Sequence, residues 1–387
     1  MSTRPTKSET YDIVVIGSGA AGMSTAITAK KLGASVAIIE KEPVFGGTTA
    51  FSGGVLWIPL NHHAREAGVE DDREAAVTYM KAETGNFYDA AAVETYIDTG
   101  PEMLEFFERE TAVKFVPTLY PDYHPDQPGG VDVGRAVLAA PFDTSSLGDN
   151  LKRLRPPLAT ITFMGMMFNS SNADIKHFFN ATKSLTSFVY VAKRLLAHFA
   201  EVARYGRGVQ VTSGNALAAR LAKSAFDLEI PVYTDTPAEE LLADNGRVTG
   251  VRVPGATLTA RKAVVLASGG FAHDVEKLQK AYPHIRRGGE HFSPVPEGNT
   301  GDGIRLAEAI GGDAPIEFKD TSAWMPVSKV PMGNGKFGAF PHLLDRYKPG
   351  IIAVLKNGKR FTNESESYHD VGAALTRACE AQSEAAA

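Results

Sequence analysis

The feature that most constrains the fold is a glycine-rich turn between an apolar run and a helical pattern near the N-terminus. Residues 11–16 form a continuous, mostly β-branched run typical of a buried strand. The turn that follows consists of Gly17, Ser18, Gly19, Ala20, Ala21 and Gly22. Small residues continue a helical pattern to Leu32, and a second apolar run over 35–39 ends in Glu40. Strand, turn, helix and strand within about 30 residues predict one βαβ unit.

The spacing of this turn is that of a dinucleotide-binding loop, in which each glycine has a separate task. Gly17 permits the tight turn, Gly19 lets the backbone approach a pyrophosphate, and Gly22 lets helix and strand pack closely. The N-terminus of the helix offers free N–H groups and a positive dipole end to phosphates. Glu40 is placed to accept hydrogen bonds from ribose hydroxyls and disfavours a 2′-phosphate. The alternative is a glycine turn that holds no ligand.

A second glycine- and hydroxyl-rich loop follows Glu40 and favours FAD over NAD. An extended flavin needs close backbone approach and small donors beneath its ribityl chain, whereas an NAD dehydrogenase has no use for them. The predicted cofactor contacts in this stretch are Lys41, Gly46, Gly47, Thr48, Thr49, Ser52, Gly53 and Gly54. Further along, Ala238 and the strand end Ala267, Ser268 and Gly269 suit a second lobe over the adenine. Asp302, which opens a helix after Gly301, completes the predicted contacts.

Composition and charge exclude several other classes of protein. The 387 residues are 43% hydrophobic with a net charge of -5, so there is no basic footprint for nucleic acid. One cysteine cannot form an intramolecular disulfide, and no His/Cys cluster has zinc spacing, so we predict no metal site. The adjacent His62 and His63 are interpreted as solvent-exposed or loop residues. The first ten residues lack the apolar core of a signal peptide, and no uncharged run is long enough to span a bilayer, so we expect a cytoplasmic enzyme.

The segment from about 138 to 208 differs in character from the rest of the chain. It contains an amphipathic helix pattern over 178–203, with Lys193, Arg194, His198 and Glu201 on its polar side. The favoured interpretation is a helical excursion that docks on the main domain through its apolar face. A lid over the substrate, or a peripheral contact with a membrane surface, is the alternative.

Four stretches together identify a resemblance. They are IEK followed by GGTTAFSGGVLWIPLN, then LASGGFAHD, NTGDGIRLAEAIGG and NGKRFTNES. The chain resembles the FAD-dependent fumarate reductase/succinate dehydrogenase flavoprotein superfamily, and within it most resembles the 3-ketosteroid dehydrogenases. The resemblance implies an α/β fold, with a Rossmann-like FAD-binding domain of the GR2 flavoprotein type and an inserted α+β catalytic domain. The expected FAD-binding domain covers 1–317, including the helical excursion, and an incomplete catalytic or capping domain covers 318–387.

The resemblance also indicates catalytic candidates. Fumarate reductases carry a proton-delivering arginine shortly after the Asn-Glu of the last motif, whereas this chain has Tyr368 there. Ketosteroid 1-dehydrogenation removes a proton α to a carbonyl and transfers a hydride to flavin N5, and a tyrosinate can serve as the base. By motif position Tyr368 is the candidate base, and Tyr123 the candidate assisting tyrosine, with Tyr120 second. Trp324 and Tyr120 are predicted to line an apolar substrate pocket. The alternative for each is a ring that only packs in the core.

The family's C-terminal return to the FAD-binding domain, with a further glycine turn over the flavin, has no match in this sequence. We therefore expect a C-terminally truncated or frameshifted product, or a fragment, and the activity of the chain alone is open. Three functions remain: dehydrogenation of a 3-ketosteroid or similar cyclic ketone, reduction of an unsaturated carboxylate, and a catalytically inactive FAD-binding remnant. The missing arginine weighs against the second, because a dicarboxylate needs cationic partners. The substrate expected is a small apolar ketone, and the electron acceptor is not indicated.

Overall fold

The computed structural model describes residues 4–168, 173–318, 321–333, 335–343 and 345–381. The chain divides into two compact units, Met1–Ala267 and Ser268–Ala387. The boundary expected from the resemblance, at 317/318, falls inside the second unit, and the corresponding division of functions stays a prediction.

The first unit alternates strands and helices, as the sequence predicts for an α/β fold. Its strands are β1 (Glu9–Ile16), β2 (Val36–Ile39), β3 (Val55–Trp57), β4 (Phe115–Pro117), β5 (Ala136–Ala139), β6 (Phe142–Asp143), β7 (Gln210–Val211), β8 (Val232–Tyr233), β9 (Glu240–Asp244), β10 (Arg247–Val253) and β11 (Ala256–Leu266). Its α-helices are α1 (Ala20–Lys31), α2 (His62–Glu66), α3 (Arg73–Thr84), α4 (Ala90–Glu110), α5 (Ala173–Phe179), α6 (Leu185–Tyr205) and α7 (Ser213–Asp227). Short 3₁₀ helices cover Gly47–Phe51, Gly85–Phe87, Thr144–Arg153 and Ala159–Ile161.

A six-stranded sheet in the order β8-β2-β1-β11-β10-β9 organises this unit. Strands β8, β2, β1 and β11 are parallel, and Ile16 at the end of β1 pairs with Ile39 on one side and Leu266 on the other. The three strands therefore end at one edge, where ligands bind in sheets of this kind. The strands β3, β5 and β4 form a separate antiparallel sheet.

The amphipathic stretch of the excursion forms two helices rather than one, and its orientation differs from the favoured interpretation. The side chain of Ser184 caps the N-terminus of α6, and Gly206, in the left-handed region at φ 77°, ends it. Ser187 and His198 on the polar side of α6 are buried, whereas Leu185 and Leu196 on its apolar side are largely exposed. The expectation of a docked apolar face is therefore wrong for these side chains. The side of α6 that faces the protein is bound mainly by polar partners, and Tyr205 at its end packs against the main core.

The two adjacent histidines are also placed differently from the sequence interpretation. His62 and His63 lie on α2, both only partly exposed, with their ring centroids 4.1 Å apart. Their Nε2 atoms lie 2.8 and 3.1 Å from the same carboxylate oxygen of Glu108, which belongs to α4. They tie α2 to the end of α4, and their interpretation as solvent or loop residues is wrong.

The second unit contains an antiparallel hairpin and several helices. The strands are β12 (Val327–Gly333) and β13 (Lys336–Pro341), and the helices are α8 (Val275–Ala281), α9 (Pro283–Arg286), α10 (Asp302–Glu308) and α11 (Tyr368–Ala381). Its core joins Leu278, Ala281 and Tyr282 to Trp324 and Ala373. Among the described residues of both units, no helix has the length and apolar character needed to cross a bilayer.

Candidate functional site

The glycine turn after β1 adopts the geometry that its spacing predicts. Gly17 has φ 110°, which only glycine adopts readily, and its N–H donates to the Ile39 carbonyl at 2.8 Å. A Cβ on Gly22 would lie 1.9 Å from the Gly17 carbonyl oxygen, so helix α1 can approach the turn this closely only with glycine there. Gly19 is the N-cap of α1 and supplies no side chain, so the N-terminal turn of the helix stays open to approach by a ligand.

Ser18 and Glu40 connect this turn to the second strand and to the loop beyond it. The buried Ser18 hydroxyl donates to Glu40 Oε2 at 2.5 Å, and the Glu42 N–H donates to Oε1 at 3.0 Å. The Gly46 N–H in turn donates to Ser18 Oγ at 3.1 Å. Glu40 is almost completely buried, yet its carboxylate oxygens retain lone pairs for further donors such as ribose hydroxyls.

The second glycine loop lies directly against the first. Gly46 and Gly47 both have positive φ, at 116° and 49°, and start the 3₁₀ helix Gly47–Phe51. Thr49 Oγ1 accepts the N–H of Ala20 at 2.9 Å, so this loop contacts the N-terminus of α1. This contact is expected if the two loops hold one cofactor. Thr48 and Lys41 lie on the same stretch and are half-buried.

Two residues at the end of this loop, Ser52 and Gly54, contact α7, and the Gly214 N–H of that helix donates to the Ser52 carbonyl at 3.0 Å. A Cβ on Gly54 would lie 2.4 Å from the Ser213 backbone, so glycine is required there for packing. Ser52 Oγ accepts the Gly54 N–H at 3.1 Å and donates to the Thr49 carbonyl at 2.9 Å. Gly53 is more open. The packing explains Gly54 and Ser52 structurally, and their contact with a cofactor stays a prediction.

The sequence reasoning missed Arg155, which the fold brings to the same loop. Its backbone N–H donates to the Phe45 carbonyl at 2.9 Å, and its guanidinium lies 5.7 Å from the centre of the Phe51 ring. Burial lowers the pKa of this guanidinium, and the charges of Glu40 and Glu42 oppose that shift. Its Nε is buried without a hydrogen-bond partner among the described residues. No local motif marks Arg155, because it lies far from the glycine turn in sequence.

The remaining predicted cofactor contacts are divided between the units. Ala267, in the first unit, donates its N–H to the Ile16 carbonyl at 2.8 Å and continues the sheet edge where β1 ends. Ala238 lies in the loop between β8 and β9. In the second unit, Ser268 precedes Gly269, which has φ 77° and at which a Cβ would lie 2.7 Å from Asn299 Oδ1. Asp302 is the first residue of α10, and its carboxylate accepts from Arg305 at 3.0 Å.

A buried charge cluster holds the loop that carries Tyr120 and Tyr123. Arg135, 1% exposed, donates through Nη1 to Asp122 at 2.9 Å and through Nη2 to Asp71 at 2.8 Å. Asp122 also accepts from the Trp57 indole at 2.7 Å. Because Asp122 lies between the two tyrosines, this cluster fixes the backbone of their loop. Tyr123 is 56% exposed and Tyr120 is half-buried, so the ring of Tyr123 is not a core residue.

Both candidates of the second unit are associated with α11, which begins with Tyr368 and which Trp324 contacts through His369 and Gly372. Tyr368 is the first residue of this helix and is half-buried. The next residue, His369, accepts the Trp324 N–H at Nδ1 over 3.2 Å, and Gly372 lies against Trp324 so tightly that a Cβ there would approach its Cβ to 2.7 Å. Trp324 is buried and packs against Tyr282 at 4.9 Å between ring centroids. Trp324 therefore supports the helix that begins with Tyr368, and its role as a pocket residue stays a prediction.

The residues of the first unit fit the ADP half of a dinucleotide. The glycine cradle at Gly17 and Gly22 leaves no room for side chains, the N-terminus of α1 offers N–H groups, and Glu40 is a buried acceptor. The half-buried Arg155 guanidinium interacts electrostatically with Glu40 and Glu42, and its Nε has no hydrogen-bond partner among the described residues, so it supplies a cation for a phosphate.

Comparisons with known proteins agree with this fit. The model of the FAD-binding domain family matches residues 12–387. The chain is 41% identical, over 96% of its length, to a 4-oxocyclohex-2-ene-1-carboxylate 5-dehydrogenase of Sinomonas cyclohexanicum, of which it covers 63%. It is 36% identical, over 92% of its length, to a 3-oxosteroid 1-dehydrogenase of Mycolicibacterium smegmatis, of which it covers 62%. The chain thus spans less than two thirds of the length of these curated relatives.

A solved structure shows the same relationship. The crystal structure of 3-ketosteroid Δ1-dehydrogenase from Sterolibacterium denitrificans, in complex with 1,4-androstadiene-3,17-dione, matches with a TM-score of 0.84 at 32% identity. The match covers 97% of this chain and 67% of that one. The predicted flavoprotein fold, the cofactor FAD and the resemblance to ketosteroid dehydrogenases are confirmed. The chain belongs to the FAD-binding domain family of flavoproteins.

Proposed function

We propose that the protein acts as a FAD-dependent dehydrogenase that forms a carbon–carbon double bond beside the carbonyl of a cyclic ketone. The observation that carries this proposal is Tyr368, at the motif position where fumarate reductases have an arginine. It opens α11 and is half-buried beside His369 and the Trp324 core. The names of the relatives, which are dehydrogenases of oxocyclohexene carboxylates and of 3-oxosteroids, support the same reaction class.

Each candidate residue has a defined task in this reaction. FAD, when bound, supplies the acceptor for the hydride that leaves the ring carbon next to the deprotonated one. Tyr368 takes the proton α to the carbonyl onto its phenolate oxygen, and Tyr123 assists through its hydroxyl. The glycine turn, Glu40 and Arg155 bind the ADP half and so fix where the ring system can lie. A cytoplasmic location belongs to this proposal as an expectation from the sequence, which indicates no particular electron acceptor.

The substrate is proposed to be either a 3-oxosteroid or a small oxocyclohexane carboxylate. Both contain the ring ketone that the reaction needs. They differ because a carboxylate requires a cationic partner, whereas a steroid requires a larger apolar surface. Dye-linked oxidation of 4-oxocyclohexanecarboxylate and of a 3-oxosteroid, measured side by side, distinguishes the two.

The base assignment is tested with Tyr368→Phe. We expect kcat for dye-linked ketone oxidation to fall by about 10²–10⁴-fold, because general-base catalysis contributes a factor of that size. FAD content, measured from the flavin absorbance, should be unchanged. Tyr347→Phe, a substitution of the same kind at a tyrosine 43% exposed in the same unit, serves as the control and should keep full activity.

Unchanged turnover of Tyr368→Phe would remove Tyr368 from the mechanism. Reduction of fumarate without ketone oxidation would instead support the unsaturated-carboxylate alternative. Full FAD occupancy with neither activity would support an inactive FAD-binding remnant.

A further inference from the structure

Two histidines of α2 and one glutamate of α4 converge on one point in the first unit. The Nε2 atoms of His62 and His63 lie 2.8 and 3.1 Å from the same oxygen, Oε2 of Glu108. One possible ligand atom from each of the three residues lies within 4.8 Å of the other two. Their side chains are 20%, 14% and 12% exposed, so they are mostly buried but still accessible to water. These three side chains form the His-His-Glu cluster.

The backbone on both sides of the cluster is fixed by other contacts. Asn61, which is fully buried, caps α2 by accepting the Ala64 N–H at 2.9 Å, and its Nδ2 donates to the Gly134 carbonyl at 2.7 Å. The two histidines, as the first residues of α2, therefore have a defined position. On the other side, the Phe115 N–H of β4 donates to Glu108 Oε1 at 2.7 Å and orients the carboxylate. The cluster is thus held in place by groups that lie outside it.

The carboxylate of Glu108 has no fixed cation bound to it. Among the described residues, no lysine or arginine side chain forms an ion pair with this carboxylate. The Arg220 guanidinium interacts with its charge, but donates its hydrogen bonds to three backbone carbonyls. Lys114 Nζ contacts the backbone carbonyl of Glu108 instead. Histidine is charged only when protonated, so two neutral imidazoles leave a mostly buried negative charge without compensation.

We propose that the His-His-Glu cluster binds one Zn²⁺ ion, which joins α2 to the end of α4. Two imidazole nitrogens and one carboxylate oxygen are a ligand set that zinc uses, with water in the fourth position. Ligands of tetrahedral zinc lie roughly 3.4 Å apart, since each is about 2.0–2.2 Å from the ion. The observed N–O separations of 2.8 and 3.1 Å therefore need only a small outward movement of the side chains to admit the ion. The bound ion compensates the charge of Glu108.

No local spacing marks this cluster in the sequence. Glu108 lies 45 residues beyond His63, and only the packing of α2 against α4 brings the two together. The prediction that the chain has no metal site rests on close spacings of histidine and cysteine, which do not report such a distant ligand. The zinc site is independent of the proposed dehydrogenase activity.

The proposal is tested with the untagged, FAD-loaded protein after dialysis against a chelator. Calorimetric titration with Zn²⁺ should give one bound ion per chain, and the Tm should rise by about 5–10 °C at a zinc concentration of about 100 times the Kd. Mg²⁺ should give no such shift, because it prefers ligand sets made of oxygen. X-ray absorption of the zinc-loaded protein should show two imidazole ligands and oxygen ligands at about 2.0–2.2 Å.

Matched variants assign the bound ion to the cluster. Glu108→Gln and His62→Gln should each weaken zinc binding by more than about 100-fold, since loss of a ligand exceeds the 10–100-fold effect of an outer-shell partner. His177→Gln is the control and should bind zinc like wild type. His177 is also a half-buried histidine of the first unit, but its Nδ1 lies 3.0 Å from Ser187 Oγ, and it belongs to no metal-binding group among the described residues. Far-UV circular dichroism without zinc establishes that each variant is folded.

Failure of the folded wild-type protein to bind Zn²⁺ would overturn the proposal. Unchanged zinc affinity in either folded ligand variant would also overturn it, because the ion would then lie elsewhere. If a ligand variant does not fold, the X-ray absorption of the wild-type protein decides, since fewer than two imidazole ligands would contradict the assignment to this cluster.

Discussion

Replacement of Arg135 by methionine is the strongest test of how the tyrosine loop is held. The guanidinium neutralises two carboxylates, Asp71 and Asp122, whose side chains are 5% and 2% exposed. Methionine keeps most of the apolar stem. It removes the charge, together with the guanidinium that lies 5.8 Å from the ring centres of both Trp57 and Tyr79. Both carboxylates then remain buried without their cation.

The expected cost can be worked out from this geometry. Removing one partner of a buried ion pair destabilises a protein by about 3–5 kcal/mol. The two pairs share one cation, so their costs do not simply add. Each carboxylate also keeps another donor, which is the Leu60 N–H for Asp71 and the Trp57 indole for Asp122. We therefore expect a loss of about 4 kcal/mol in the free energy of unfolding of the first unit. A domain is typically stable by about 5–15 kcal/mol, so this loss is a large share.

The assay is urea unfolding followed by the fluorescence of Trp57, in a Trp324→Phe background that leaves Trp57 as the sole tryptophan. Adding Asp71→Asn and Asp122→Asn to Arg135→Met should recover about 2 kcal/mol, because no uncompensated charge remains. Arg252→Met, which breaks an exposed pair with Glu240 at 3.1 Å, is the control and should cost less than about 1 kcal/mol. If Arg135→Met costs no more than this control, the buried cluster does not support the loop and the reasoning fails.

Three further predictions concern the cofactor site and the second unit. Gly22→Ala should abolish FAD retention and lower the Tm, since its Cβ would lie 1.9 Å from the Gly17 carbonyl; normal flavin content would contradict the tight packing. Arg155→Met should raise the Kd for FAD by about 10–100-fold in fluorescence titrations, the value of a charge-assisted hydrogen bond, whereas an unchanged Kd would assign Arg155 to folding alone. Burial beside His284 lowers the pKa of His291 to about 4 from its usual 6.5, so between these values the unfolded chain binds a proton that the folded unit does not. Stability of the second unit should therefore fall as the pH decreases from about 6.5 to about 4, and His291→Gln should flatten this dependence in pH-dependent unfolding.

The cofactor site shows how far local patterns reach. Gly17, Gly22 and Glu40 were predictable because a tight turn, a close helix and a strand-end acid are demands made within one short stretch of chain. The hydrogen bond from Ala20 to Thr49 joins two loops that the sequence had already marked as glycine-rich. Arg155 escaped prediction because its place beside Phe45 depends on the path of the intervening chain.

The tyrosine loop shows the opposite case. Tyr120 and Tyr123 were proposed through a resemblance, with no physical reason for their loop to be ordered. The reason lies in Arg135 and in Asp71, which is remote from that loop in sequence and reaches the same guanidinium only in the folded chain. Buried ion pairs of this kind carry no sequence spacing that could be read in advance.

The sequence by itself determined the βαβ unit with its tight glycine turn, because glycine conformation and strand burial are set by neighbouring residues. It also determined that the 185–205 region has one apolar and one polar side, since that follows from helical period alone. Only the tertiary structure decided which side faces the protein. Asp174, the Met164 carbonyl and the Val209 N–H bind the polar side of α6, so the apolar stripe that was expected to join the core is left at the surface. Periodicity specifies that two faces exist, whereas the partners that other segments supply determine which of them is buried.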